Sequence, residues 1–136
     1  MIAHLEAIRA RLGTSTPVDL WAPEPGRVPP FYVIEAPAWA PDPGMAVDGV
    51  PHMIETDVRV KAVAGTPNGA AVLLRNARTA LGDGQAIPLA VPDRAVTVTW
   101  TRAEFISLDP DSTIPSTNRH PAVGVDTYAL TSQPTK

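Results

Sequence analysis

The stretch that decides the fold is Met53–Gly65, MIETDVRVKAVAG, which runs directly into Thr66–Gly82, TPNGAAVLLRNARTALG. Apolar and polar residues alternate in the first segment, and a period of two residues is typical of a strand with one face in the core. Alanines and leucines recur at steps of three and four in the second segment, which predicts a helix. Thr66 is suited to cap this helix, Pro67 to begin it and Gly82 to end it.

The predicted strand has an apolar face and a charged face. The apolar face consists of Ile54, Thr56, Val58, Val60 and Ala62. The charged face consists of two acids followed by two bases, Glu55, Asp57, Arg59 and Lys61. A face of this kind is ordinarily solvated, but acid followed by base can also match the same strand of a neighbouring subunit. Arg75 and Arg78, on the polar side of the following helix, are further candidates for contact with a partner.

Upstream of this centre, the sequence predicts a helix, a long connection and a strand. Residues 2–12 place apolar side chains at helical steps, and Gly13 supplies the stop. Residues 14–30 contain five prolines and are predicted to be an extended connection. Residues 31–36, FYVIEA, are almost continuously apolar, which predicts a strand covered on both faces.

Downstream of the second helix, three more strands are predicted. They are QAIPLAV (85–91), RAVTVTWTRAEFISL (94–108) and PAVGVDTYALTS (121–132). In the middle segment Val96, Val98 and Trp100 alternate with threonines and belong to the core side. The alternation then blurs, which indicates a bulge or bend that re-aims the strand.

The order of these elements predicts an α+β fold, in which one mainly antiparallel sheet packs with two helices. A chain of 136 residues fits a single domain, residues 1–136, with residues 132–136 as a flexible tail. Long loops are expected at residues 37–51 and 108–121, and long loops in compact domains tend to be functional.

Composition restricts the function further. The net charge is −3 and the eleven Lys and Arg residues are scattered, so a surface that grips nucleic acid is poorly supported. The chain has no cysteine, which excludes disulfides, zinc–thiolate sites and thiol nucleophiles. The first thirteen residues include Glu6 and two arginines, so we expect no signal peptide, no membrane span and synthesis inside the cell.

The most chemically capable side chains lie in the second long loop and the strand after it. His120 with Asp126 and either Asp109 or Asp111 can in principle bind a metal or form an acid–base pair. The simpler interpretation is that Asp109 and Asp111 form a turn beside Pro110. The sequence therefore predicts no catalytic residue, no metal site and no cofactor.

Candidate contact residues occur in both loops. Trp39 lies in the first loop, where it either packs against the chain itself or anchors a partner. In the second loop we assign Asp109, Asp111, Arg119 and His120 as contact candidates.

The complete layout resembles the tail terminator family of long-tailed bacteriophages, which includes tail-completion and minor tail proteins. Four segments carry the resemblance: MIAHLEAIRARLG with its proline-rich continuation, PFYVIEA, HMIETDVRVKAVAG followed by TPNGAAVLLRNARTALG, and WTRAEFISLDPDSTIPSTNRHPAVGVDTYALTS.

The resemblance implies a non-enzymatic virion protein at the junction of tail and neck, assembled in the host cytoplasm. Its members would form a homohexameric ring that caps the tube of the major tail protein and ends tube polymerisation. The ring would then join the tail to the head–tail connector, with DNA passing through the lumen only as cargo. Closing such a ring requires two different patches on each subunit.

Three alternatives remain open at this point. The first is another neck or tail-completion protein of the same layout. The second is a small ligand-binding or hydrolytic α+β domain that uses Arg119, His120 and Asp126. The third is a host-interaction module displayed through the loop that contains Trp39.

Overall fold

The computed structural model describes residues 2–13, 15–36, 53–82, 85–108 and 121–135, with the side chains of Ile2 and residues 104–108 left out. Two helices and six strands lie in these ranges. They are α1 (Ile2–Leu12), β1 (Val18–Leu20), β2 (Phe31–Glu35), β3 (Ile54–Ala64), α2 (Pro67–Leu81), β4 (Ile87–Val91), β5 (Arg94–Leu108) and β6 (Ala122–Pro134). The predicted α+β class, with a mainly antiparallel sheet and two helices, is confirmed.

The six strands form one sheet in the order β1-β2-β3-β6-β5-β4. Every neighbouring pair is antiparallel except β1 and β2, which are parallel. The two central strands β3 and β6 pair along eleven residues, from Ile54 opposite Ser132 to Ala64 opposite Ala122. The charged strand found in the sequence therefore lies inside the sheet and not at its edge.

Helix α2 begins and ends as its sequence predicts. Thr66 Oγ1 accepts the N–H of Gly69 at 3.0 Å, which satisfies one of the free amides of the first turn. Pro67 occupies the first turn, where its missing N–H costs nothing. At the other end Gly82 has φ +98°, and a Cβ there would lie 2.2 Å from the carbonyl oxygen of Gln85, so only glycine fits.

Both helices pack on the same face of the sheet and form one core with it. The helices contribute Leu5, Ile8, Leu73, Leu74 and Leu81, and the sheet contributes Val58, Val60, Val98, Tyr128 and Leu130. Shortening a large side chain in such a core typically costs about 2–5 kcal/mol. Two hydrogen bonds accompany this packing. The Tyr32 hydroxyl of the sheet donates to Leu73 O of α2 at 2.6 Å, and within the helix layer Arg11 Nε of α1 donates to Ala80 O of α2 at 2.6 Å.

Strand β2 is covered on both faces, as its apolar run predicts. Tyr32 and Ile34 belong to the main core. Phe31 and Val33 instead join Val63 in a second, smaller cluster on the opposite face of the sheet.

Two expectations need correction. Residues 14–30 are not only a connection, because they contain β1, which pairs with β2. The three residues of β1 are too few for an alternating pattern to be visible. Residues 132–135 are not part of a flexible tail, since β6 continues to Pro134 and the N–H of Thr135 donates to Asp93 O at 3.0 Å. Ser132 is in fact fully buried.

Candidate functional site

The face of the sheet opposite the helices is the candidate interaction surface. Five residues of β3 lie on it: the charged set predicted from the alternation, Glu55, Asp57, Arg59 and Lys61, and the buried Val63. Among the described residues, no helix packs on this face. Since β3 pairs with β2 on one side and β6 on the other, its edges are occupied. A match with the same strand of a neighbouring subunit would therefore have to be made face to face.

One end of this face is basic. Glu35 on β2 lies opposite Arg59, and its Oε1 is 3.6 Å from Arg59 Nη1 and 3.6 Å from Lys61 Nζ. Both contacts are long, and the two cations are substantially exposed. Ion pairs of this kind contribute about 0–1 kcal/mol, so Glu35 offsets the positive charge without removing it.

A bulge in β5 brings a third cation to the same end. The register between β5 and β6 shifts between Trp100 and Arg102, so that Arg102 lies opposite Thr127. Thr127 in turn lies opposite Arg59, which produces a row across three strands: Arg59, Thr127 and Arg102. The Thr101 hydroxyl donates to Thr127 O at 2.9 Å and holds the bulge in place. The bulge indicated by the blurred alternation is confirmed, and it places Arg102 on the same face of the sheet as Arg59.

Thr127, at the centre of this row, is a buried polar residue. Thr127 is 2% exposed, and its Oγ1 makes no hydrogen bond in the described part of the chain. Arg102, in contrast, is exposed and forms no ion pair with any described residue.

The other end of the face is acidic. Glu55 lies opposite Thr131 and Asp57 lies opposite Ala129 on β6. One strand further, Thr97 and Thr99 continue the same two rows on β5. Neither carboxylate forms an ion pair with a described residue, and the cross-strand neighbours on β6 and β5 are small and uncharged. We call the whole surface, from Glu55 to Lys61 with Glu35 and Arg102, the charge-segregated face.

Arg78, a predicted contact residue, is instead committed inside the protein. Its Nε and Nη2 donate to Asp126 Oδ2 and Oδ1 at 2.6 and 2.9 Å, and its guanidinium lies 4.9 Å from the centre of the Trp100 ring. Asp126 is fully buried, so this two-point pair supplies the charge that its carboxylate needs. Trp100 packs against the core, as its register with Val98 predicts.

A second polar cluster joins α1 to the sheet. His4 and Ser132 are both fully buried, and His4 Nε2 lies 2.8 Å from Ser132 Oγ. Arg94 Nε donates to the same Oγ at 2.5 Å, and Arg94 Nη2 donates to Ser132 O at 3.0 Å. Sequence reasoning missed this cluster because 128 positions separate His4 from Ser132.

The remaining predicted residues divide into two groups. Arg75 is exposed on α2 and lies on the helix layer, away from the charge-segregated face. The other five, Trp39, Asp109, Asp111, Arg119 and His120, lie outside the described residues.

Other features of the described ranges are modest. Two open depressions of about 340 and 320 Å³ flank α1, lined among others by Glu6, Arg9 and Arg11. No group of three or more potential metal ligands occurs within the described ranges. None of the helices seen here has the length and apolar character to cross a membrane.

Compared with known proteins, the chain matches no family model and no curated protein.

Proposed function

We propose that this chain is a structural virion protein of the tail terminator kind. It assembles into a ring, with six copies expected, that caps the tail tube and joins the tail to the head–tail connector. The major tail protein and a neck protein are its partners on either side of the ring. DNA passes through the lumen without being recognised by sequence.

The observation that carries this proposal is the division of the sheet into two unlike faces. Helices α1 and α2 supply the main core on one side, while the other side presents charges of opposite sign beside the smaller apolar cluster of Phe31, Val33 and Val63. A ring of identical subunits needs two different patches on each copy, and the acidic and basic ends of the charge-segregated face are two such patches. Apart from the additional short strand β1, the described helices and strands follow the order on which the resemblance to tail terminators rests.

The structure argues against the hydrolytic alternative at one of the three residues that it requires, Asp126. Asp126 is fully buried and holds both guanidinium donors of Arg78. Its carboxylate is therefore engaged in a structural pair and is not placed to orient a catalytic histidine. No observation among the described residues favours that alternative over assembly.

The test is assembly itself. Purified protein at high concentration, alone and mixed with tail tubes, is analysed by native mass spectrometry and negative-stain microscopy. We expect rings, or a monomer that forms rings on tube ends and stops their growth. A chain that stays monomeric and never binds tube ends would exclude the proposal.

A further inference from the structure

Trp21, which directly follows β1, combines an unusual backbone with an exposed side chain. Its N–H donates to Ile34 O at 2.8 Å, and the N–H of Ala22 then donates to Leu20 O at 2.8 Å. This second bond spans three residues, and Trp21 at its centre has φ +71°, the value of the rare and strained γ-turn. The Trp21 side chain is nevertheless 42% exposed. Because bulky residues seldom adopt such a φ, and such strain clusters at functional positions, Trp21 is a candidate contact residue.

The loop that follows Trp21 is held by hydrogen bonds between charged groups. The Arg27 guanidinium donates to both carboxylate oxygens of Asp19 at 2.9 Å, and the N–H of Glu24 donates to Asp19 Oδ2 at 3.1 Å. Val28 in this loop is 59% exposed. Residues 21–28, which we call the Trp21 loop, therefore present two apolar side chains from a fixed backbone, and a fixed loop loses little conformational entropy when it binds.

A depression of suitable size lies elsewhere on the molecule, between α1 and the edge strand β4. Its volume is about 320 Å³, and its lining consists of Ala7, Ala10, Arg11, Leu89 and Ala90. Four of these five residues are apolar, and the depression is larger than one indole side chain. Arg11 is exposed, and its Nε donates to Ala80 O at 2.6 Å, which holds the guanidinium beside the depression. We call this depression the α1–β4 groove.

The Trp21 loop and the α1–β4 groove match in chemistry. An arginine guanidinium binds favourably over the face of an indole ring, and Arg78 already lies over Trp100 in this way, 4.9 Å from the ring centre. Arg11 offers the same group to an indole that enters the groove. Glu24 in the loop is 67% exposed, and only one of its carboxylate oxygens accepts from Arg27, so the loop also carries a charge opposite to that of Arg11.

We propose that the Trp21 loop of one copy docks in the α1–β4 groove of a second copy. This inference rests on the proposed function and names surfaces that would hold the ring together. The occupant is a second copy because one chain carries both halves of the contact. Since the loop and the groove are different patches, each copy can bind one neighbour through its loop and another through its groove, and such head-to-tail contacts close into a ring when the rotation allows.

The area of Trp21 indicates its place in the contact. The exposed part of the side chain amounts to about 100 Å², whereas a standard interface buries roughly 800 Å² on each partner. Trp21 is therefore an anchor within a larger contact, and tryptophan is among the residues that most often carry the binding energy of an interface.

Two single substitutions remove the two halves of the contact separately. Trp21→Asn removes the indole, and asparagine tolerates the positive φ. Ala10→Glu fills the groove and places a carboxylate where Glu24 of the other copy would dock. Val72→Ala and Ala71→Glu, at exposed positions of α2, are the matched controls for a lost apolar side chain and for a new carboxylate on a helix. Melting temperatures near that of wild type confirm that each variant is folded.

The measurement is self-association by sedimentation and native mass spectrometry, alone and at the ends of tail tubes. Each of the two variants should associate at least about tenfold more weakly than wild type, and the controls should not. A 1:1 mixture of the two variants should form pairs and nothing larger, because the loop of one docks in the groove of the other while the remaining patches are blocked. Association as in wild type by either variant, or a mixture that stays monomeric, would overturn the proposal.

Cysteine cross-linking tests the geometry independently and leaves Trp21 in place, since the chain has no cysteine of its own. One preparation carries Ala22→Cys, in the Trp21 loop, and the other carries Ala10→Cys, in the groove. When the two are mixed under mild oxidation, a disulfide between unlike chains should form faster than one between like chains, because disulfides require the two Cα atoms to approach within about 7 Å. Ala71→Cys in place of Ala10→Cys is the control. Equal linking of the groove position and the control position would contradict the docking.

The outcomes separate this inference from the proposed function. Rings that form equally well from Trp21→Asn and Ala10→Glu protein would refute the docking and leave the ring intact. Loss of tube binding in Trp21→Asn protein, with self-association unchanged, would assign the loop to the major tail protein and refute docking between copies. A closed wild-type dimer that both substitutions dissociate would support the docking and refute the six-membered ring.

Discussion

Arg78 and Asp126 form a two-point ion pair between α2 and the central strand β6, with donor–acceptor distances of 2.6 and 2.9 Å. The carboxylate is fully buried, whereas the guanidinium side chain is 27% exposed and lies over Trp100. The pair therefore fixes how the second helix sits on the sheet that carries the charge-segregated face.

Removing the cation of this pair should be costly. Arg78→Ala leaves a buried carboxylate without its partner, and we expect a loss of about 2–4 kcal/mol in the free energy of unfolding. Urea denaturation measures the loss. Arg75→Ala, on the exposed side of the same helix, should change stability by less than about 0.5 kcal/mol. Equal effects of the two substitutions would show that the pair contributes nothing.

Gly82 and Gly26 allow a matched test of close packing at positive φ. Gly82→Ala brings a Cβ within 2.2 Å of Gln85 O, whereas nothing lies within 4 Å of a Cβ at Gly26. Both replacements incur the left-handed backbone penalty of about 1–2 kcal/mol, but only Gly82→Ala also forces the backbone to shift. Thermal unfolding should therefore show a clearly larger loss for Gly82→Ala, and similar losses would contradict the close approach.

Asp19 should make the protein sensitive to acid. Hydrogen bonds from the Arg27 guanidinium lower the pKa of Asp19 below its ordinary value of 3.8, although burial opposes the shift. A lowered pKa in the folded state stabilises the fold above pH 3.8, and this stability is lost as the pH falls below that value. Melting temperatures of wild type and Asp19→Asn should converge in acid. Glu24→Gln, at a side chain that is 67% exposed, should keep the acid dependence of wild type.

Tyr32 should produce the opposite dependence in alkali. Burial raises the pKa of Tyr32 from 10.0 to about 12, so the folded protein keeps a proton that the unfolded chain releases. Stability should therefore fall as the pH rises from 10 towards 12. Tyr32→Phe should cost about 1 kcal/mol at neutral pH, through its hydrogen bond to Leu73 O, and should flatten the alkaline decline. A decline of unchanged slope in this variant would assign the effect to other groups.

Local patterns predicted much of the fold because their causes are local. The alternation in β3 identified both faces correctly, since a side chain two residues along a strand returns to the same face. Thr66, Pro67 and Gly82 marked α2 because caps act within one turn of the helix. The blurred pattern after Trp100 indicated the bulge for the same reason.

The contacts that the sequence did not predict depend on which strands become neighbours, and the periodicity of a segment does not contain that information. Arg102 joins Arg59 in one row only because β6 lies between their strands. Arg78 lies on the polar side of α2 by sequence, yet it reaches a carboxylate 48 residues away. A buried aspartate at position 126 of an apolar strand was the available signal, because a buried carboxylate requires a cation from elsewhere.

The position of β6 has a consequence for folding kinetics. Without this strand the sheet consists of two separate pieces, β1-β2-β3 and β4-β5, because β6 alone pairs with both β3 and β5. The two pieces become one sheet only when β6 has inserted between them, and β6 is distant in sequence from β3. Pairings between distant segments slow folding, since the entropy of loop closure is lost before the contacts are gained. Insertion of β6 is therefore the step that converts two marginal fragments into one cooperative domain, and substitutions along it should slow folding more than those in β1 or β4.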